Sequence, residues 1–278
     1  MGPLETGDYA AGFARRVEEA GFESVWAVEH VVMSVEYQSV YPYDPSGRSP
    51  FDADTVQPDP LVWLTYVAAA TTRLRLGTAV LILPQHNPVI LAKTLASLDR
   101  LSGGRLMLGT GVGWVKEEAN AVGTSFHDRG RRASEYIRAM RALWNEPVAS
   151  FAGEFVNFSG VVSEPRPLQE GGVPIHVGGH SPAAARRAGR LGDGFYPLGV
   201  DPDNLAPLLD VMADAAREAG RDPEAIEITC SGPPRPELAR RYRDAGIDRM
   251  VVFPPTGDLE KLASFLETFR RDAIEKLA

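Results

Sequence analysis

The stretch at residues 174–194, PIHVGGHSPAAARRAGRLGDG, constrains this chain more than any other. Ile175-His176-Val177 reads as a buried strand that runs into Gly178-Gly179, after which a helix opens near Ser181 and Pro182. Ser181 suits an N-cap, and Pro182 suits the first helical position, where its missing N–H costs nothing. Ala183, Ala184, Ala185, Ala188 and Gly189 keep that helix thin enough to lie close on a sheet. Two glycines between strand and helix let a ligand approach the backbone, and free N–H groups at a helix start favour an anion. The stretch therefore reads as a phosphate cradle or as an ordinary tight strand-to-helix turn.

The same strand–helix grammar recurs along the chain. A helix over 8–20 stops at Gly21, and a strand over 22–28 ends in Glu29-His30; near the other end, 245–252 repeats the pattern of Gly, apolar residue, acid and buried strand. Between them the periodicity predicts helices over 59–71, 87–101 and 128–144, and strands over 75–83 and 105–109. The second of those strands empties into Thr110-Gly111-Val112-Gly113-Trp114, where a βα loop meets a ligand. Residues 151–162 alternate as a small hairpin. Strands over 194–198, 225–231 and 249–253 and helices over 202–219, 236–245 and 259–277 complete the reading. Residues 31–57 have no helical period, yet Tyr37, Tyr41, Tyr43 and Phe51 give them groups to pack, so they read as a long ordered loop. The arginines of 128–144 read as a solvated face. Seven mostly parallel strands, each followed by a helix or long loop, point to a single α/β barrel domain spanning 1–278.

Composition narrows the function classes. With 278 residues, 44% of them hydrophobic, the chain can bury one large core. A net charge of −8 argues against nucleic-acid binding, which needs a basic face. No apolar run reaches the roughly 18 residues that would span a bilayer, and the N-terminus lacks a signal-peptide layout. A cytoplasmic location is the expectation. Cys230 is the one cysteine, so no internal disulfide framework exists, and it reads as a small core residue. His86, His127, His176 and His180 show no metal-ligand spacing, and Glu29 would point to the opposite side of its strand from His30. No metal is expected.

Four segments taken together, SVWAVEH at 24–30, RLGTAVLILPQHNPV at 75–89, GGRLMLGTGVGWVKEE at 103–118 and PIHVGGHSPAAARRAGRLGDGF at 174–195, resemble the luciferase-like monooxygenase superfamily. They are most similar to its branch of oxidoreductases that use the deazaflavin coenzyme F420. The resemblance implies a (β/α)8 TIM barrel with the cofactor at the C-terminal mouth of the strands. It implies that Gly178, Gly179, His180 and Ser181 hold the cofactor phosphate, and that the Ala79–Val80 peptide is cis behind the ring. Gly111 and Gly113 would lie against that ring, with Trp114 and Glu117 lining the same mouth. His30 would be the catalytic base, its imidazole passing a proton during hydride transfer; the alternative is a structural histidine anchoring the 31–57 loop.

Two departures accompany the resemblance. The family's first strand has no counterpart in this sequence, which would leave the edges at 25–28 and 250–253 open unless the functional chain starts before Met1, or another subunit's strand or the 31–57 loop fills the gap. A carboxylate carried by some deazaflavin sugar-phosphate dehydrogenases is Trp114 here, which speaks against a sugar phosphate. Three readings follow from the resemblance: an F420-dependent oxidoreductase acting on a small organic substrate, an FMN monooxygenase fed by a partner reductase, and a non-catalytic flavin-binding protein. A homodimer is the expected assembly, and a flavin or F420 reductase a candidate partner. Tyr37, Tyr41, Tyr43, Trp63 and Trp114 suggest an apolar or aromatic component in the substrate.

Overall fold

The computed structural model describes residues 4–277. Several of its helices begin where Asn, Asp, Ser or Thr caps the first turn. In α1 (Gly7–Glu19) Thr6 accepts from the Tyr9 N–H. Strand β1 (Ser24–Ala27) follows. In α2 (Pro60–Ala70) Asp59 accepts from the N–H groups of Leu61 and Val62, with proline in the first turn. Strands β2 (Arg75–Thr78) and β3 (Leu81–Ile82) are two parts of the single predicted strand, interrupted at Ala79–Val80, a cis peptide. Asn87 caps α3 (Pro88–Ser102), and the chain then enters β4 (Leu106–Gly111). Here α4 (Lys116–Ala121), six residues long, is a helix that the periodicity did not predict.

Helix α5 (Arg129–Asn145) leads to the hairpin β5 (Ala149–Ala152) and β6 (Asn157–Val161), a two-stranded sheet separate from the main one. Next come β7 (Ile175–Gly178), α6 (Pro182–Leu191), β8 (Gly194–Tyr196), α7 (Ala206–Glu218) and β9 (Glu227–Gly232). Helix α8 (Pro236–Asp244), β10 (Arg249–Val252) and α9 (Leu259–Phe269) close the domain, and a π-helical turn from Arg270 to Ile274 extends α9.

The strands pair in parallel in the order β1-β2-β4-β7-β8-β9-β10, with β3 on β4. This is a (β/α) barrel opened along one seam. Among the described residues no strand pairs with the free edge of β1 or of β10. The seam is nevertheless not bare. Phe13 and Val17 of α1 and Leu262, Phe265 and Leu266 of α9 cover it, leaving an apolar cavity of about 110 Å3 between the two edges. Covering an edge with helices is one way a sheet avoids unwanted pairing. The 31–57 loop does not enter the seam; it lies over the mouth of the barrel.

Below the strand ends a side chain bridges the same seam. Arg249 on β10 donates from Nε and Nη2 to the two Glu23 carboxylate oxygens at 2.7 and 2.9 Å, just before β1, and from Nη1 to Glu227 at 3.0 Å. Glu23 is held below the usual carboxylate range: burial works against its charge, and Arg249 outweighs that effect.

The layer between the sheet and the surrounding helices is a packed core, in which Leu76, Leu106, Leu108, Ile175, Val177 and Phe195 are fully buried, each contributing about 1.5–3 kcal/mol by leaving water. The alternate strand residues face the barrel interior. Trp26 fills the floor opposite Gly77 in register, and a Cβ on Gly77 would lie 2.4 Å from the indole. Its ring meets His176 and Tyr196 edge-on, at 5.9 and 5.6 Å between centroids. Cys230 is buried, and burial pushes its thiol up to about 12, consistent with a core residue. No helix among the described residues is long and apolar enough to cross a membrane.

Candidate active site

At the C-terminal ends of β1, β2, β4 and β7 a cavity of about 980 Å3 opens, roofed by the 31–57 loop. His30, Ala79, Val80, Gly111, Gly113, Trp114, Glu117, Gly178, Gly179, His180 and Ser181 all line it. Residues spread over some 150 positions of sequence thus meet in one space, because parallel strands deliver all their C-terminal loops to the same end.

His30 leaves the end of β1 with Nδ1 3.0 Å from Glu118 Oε2. Glu118 is fully buried, and its other oxygen accepts the Val31 N–H at 2.7 Å. Fixing Nδ1 in this way sets the ring orientation and leaves Nε2 as the nitrogen free to meet a ligand. Glu29, the preceding residue, points away from His30. It accepts from the Ile82 N–H at 2.5 Å and pairs with His86 Nε2 at 2.9 Å, tying β1 to β3. Burial alone would lower the His86 pKa, but the hydrogen bond and charge of Glu29 raise it.

Helix α4 organises the roof as well as the histidine. Glu117 accepts from Ser39 Oγ at 2.6 Å and from the Gln38 N–H at 2.8 Å, and these bonds hold its carboxyl low. Two adjacent acids therefore divide the work: Glu117 tethers the loop, and Glu118 sets its first residue and His30. A run of edge-on aromatic contacts crosses the mouth from one side to the other. Trp114 meets His30 at 5.9 Å and Tyr41 at 5.1 Å; Tyr41 meets Tyr43 at 5.3 Å, and Tyr43 meets His180 at 4.8 Å. Such pairs contribute about 0.5–1.5 kcal/mol each beyond the area they bury.

Opposite His30 lies the strand-to-helix turn. Ser181 caps α6 by accepting the Ala184 N–H at 3.2 Å, and Gly179 sits at φ +119, which disfavours side chains. The Gly179 N–H is already committed to Tyr196 O at 3.0 Å. Among the described residues no acceptor takes the N–H groups of His180, Ser181 and Ala183, and His180 Nδ1 is buried without a partner. Burial lowers the His180 pKa and so favours its neutral form. The free donors thus belong to 180–183 rather than to the glycine pair. Nearby, Val80 projects between two strand ends: a Cβ on Gly111 would lie 2.5 Å from its Cγ2, and one on Gly178 2.7 Å from its Cγ1. These two glycines make room for Val80.

Trp63 stands elsewhere. It lies on α2, packed against Phe13 of α1 at 6.0 Å between ring centroids, and does not reach the mouth. Its apolar bulk serves the outer layer of the barrel, as aromatics on helices commonly do. Sequence reasoning missed Glu118, whose only signal was an acid at the start of a short KEEANA segment. It also missed Arg129 and Arg187, which line the cavity although the arginines of α5 read as a solvated face. Among the described residues no group of three or more His, Cys, Asp or Glu could hold a metal ion.

The chain is similar over most of its length to characterised and uncharacterised proteins. An uncharacterised protein of Mycobacterium tuberculosis is 33% identical over 261 residues, covering 92% of this chain and 91% of that protein. An F420-dependent glucose-6-phosphate dehydrogenase of Kineococcus radiotolerans is 35% identical over 231 residues, covering 80% and 63%. Among solved structures, the monooxygenase RslO1 of Streptomyces bottropensis superposes with a TM-score of 0.80 at 24% identity, covering 98% of this chain and 94% of that one. The family model for luciferase-like monooxygenases matches residues 2–270, and with it the barrel, the mouth and the turn at 178–181: the chain belongs to the luciferase-like monooxygenase family.

Proposed function

We propose that this protein is an oxidoreductase that uses the deazaflavin coenzyme F420 for hydride transfer to or from a small organic substrate. The His30–Glu118 pair facing the cradle at 180–183 carries the reading. The similarity to an F420-dependent dehydrogenase supports the choice of cofactor. The site fits such a group: three N–H donors at a helix start suit a phosphate, and the cavity has the size of a large-ligand pocket. Val80, Gly111 and Gly113 would border its ring, and His180 and Ser181 its phosphate. When bound, the deazaflavin supplies the carbon that gives or accepts the hydride.

The protein's own part is proton handling and exclusion of water. His30 Nε2 would exchange a proton with a substrate oxygen while Glu118 holds the ring in one orientation. The roof of Tyr37, Tyr41 and Tyr43 over Trp114 keeps the mouth apolar, favouring substrates with an apolar or aromatic component. Trp114 offers no charge to a sugar phosphate.

Fluorescence and absorbance titration with F420 and with FMN tests the reading, followed by oxidation of reduced F420, or reduction of the oxidised form, with a panel of alcohols, ketones and enones. Tight binding of F420 and its redox turnover are expected. Preference for FMN with oxygen-dependent turnover, or binding without any turnover, would overturn it.

A further inference from the structure

Helices α5 and α6 carry many arginines, and most of those with neighbours have a carboxylate. Arg131 pairs with Glu154, Arg132 with Asp128, Arg141 with Asp193 and Arg190 with Glu218. Arg129 and Arg187 differ. Both line the cavity beside the 180–183 turn, and neither has a carboxylate partner among the described residues. Arg129 donates from Nη1 to Phe126 O at 2.7 Å, stacks 3.8 Å over the Phe126 ring, and keeps Nε buried without an acceptor. Arg187 donates to Ser134 Oγ and Gly130 O, both at 3.0 Å, which fixes its guanidinium beside the start of α5.

Two neighbouring cations, partly buried and unneutralised, are unfavourable in the free protein. Burial lowers the pKa of both, and the charge of Arg129 adds to the effect at Arg187. The chain as a whole carries −8, so this is a local reversal of sign. Arg187 lies six residues beyond Ser181, about 9 Å along the helix axis. Ala183 and Arg187 share one face of α6, so that face continues from the N–H cradle to the guanidinium.

We propose that Arg129 and Arg187 form a second anion subsite, next to the 180–183 cradle, that takes the carboxylates of the acidic tail of the deazaflavin coenzyme. The inference rests on the F420 reading above. The chemistry separates the two cofactor classes: FMN ends at its phosphate, whereas coenzyme F420 continues past a phosphodiester into a lactyl and glutamyl chain of carboxylates. A paired guanidinium site suits carboxylates, which it can bind with two parallel N–H···O bonds. The subsite is then a selector for the tail-bearing cofactor, not part of the hydride chemistry.

The test is a fluorescence titration of the full-length protein with three deazaflavins: one lacking the phosphate, one ending at the phospholactyl group, and one carrying several glutamates. The parent should bind the polyglutamyl form at least about 10-fold tighter than the phospholactyl form, with the advantage shrinking as salt rises. Arg129→Gln and Arg187→Gln should each abolish most of that advantage while changing affinity for the phospholactyl form less than about threefold. Thermal melting of each variant within a few degrees of the parent shows that folding is not the cause. An undiminished advantage in both variants overturns the subsite. So does equal loss for the two phosphate-bearing forms, which would assign both arginines to the first phosphate. A parent that binds the phospholactyl form but gains nothing from glutamates sinks the subsite alone; a parent that binds FMN and no deazaflavin sinks the cofactor reading with it.

Discussion

His30 and Glu118 are the residues on which turnover should depend most. His30→Ala is expected to lower kcat by about 10²–10⁴-fold, the usual worth of general acid–base catalysis, with cofactor affinity nearly unchanged. Glu118→Gln keeps the shape but removes the charge facing Nδ1, so kcat should fall about 10-fold or more while the cofactor Kd holds. Steady-state kinetics beside a binding titration separates the two effects, and normal turnover by His30→Ala would leave only the anchoring role. His176 has a different task. Burial, and then the charge of Arg249, depress it to about 4, so the folded chain holds it neutral on the barrel floor. The unfolded chain protonates it from about pH 6.5 downward. Its contribution is thus complete above about pH 6.5 and is lost as pH falls toward 4, at up to about 1.4 kcal/mol per pH unit. His176→Gln should flatten that loss, as read from urea midpoints at pH 7, 6 and 5; identical pH slopes for parent and variant would refute it. His86 works the other way, since its raised pKa contributes at low pH and fades as pH rises through the folded value.

At the scale of elements, α4 and the 31–57 loop form one working unit. Glu117→Ala would free Ser39 and Gln38 while leaving the core intact, so stability should stay within about 0.5 kcal/mol, as for other surface changes. Limited proteolysis between 31 and 57 should become several-fold faster and the substrate KM should rise; an unchanged cleavage rate would mean that the aromatic run alone holds the roof. This unit also marks where sequence reading reaches its limit. Strands and capped helices were legible because N-cap residues, prolines and buried runs are local signals: Asn87-Pro88 and Ser181-Pro182 begin helices where expected. Glu118 was not, because an acid on a short polar helix looks like any solvated acid until the fold places His30 beside it. Trp63 failed in the opposite sense, since an aromatic near the mouth in sequence faces Phe13 in space. The break of one predicted strand into β2 and β3 had a signal only in the family resemblance at Ala79–Val80.

For the whole molecule the decisive feature is the open seam between β1 and β10. A closed barrel would join these edges by backbone hydrogen bonds, but here side chains do so. The helices α1 and α9 cover the seam with apolar groups, and Arg249 spans its lower end to Glu23 while also holding Glu227 on β9. Arg249 is only 9% exposed, so its fork is well ordered, whereas Glu23 is about half exposed and its share of the pair is screened. Arg249→Met keeps the apolar stem and removes every donor, leaving Glu227 without its guanidinium and Glu23 with Arg75 at 3.3 Å as its remaining cation. The expected loss is about 2–4 kcal/mol, below the full cost of breaking a wholly buried pair. Arg249→Lys should fall between parent and Met, because a point charge cannot serve Glu23 with two parallel bonds. The turn between β7 and α6, proposed above to hold the cofactor phosphate, sits at the other end of the strands, so phosphate-bearing ligands should bind the variants with near-parent affinity at temperatures where they remain folded. Urea unfolding of the three proteins decides it. If Arg249→Met unfolds at the parent's midpoint, the helices alone hold the seam, and the ion pair is a surface ornament of a barrel closed by its apolar cover.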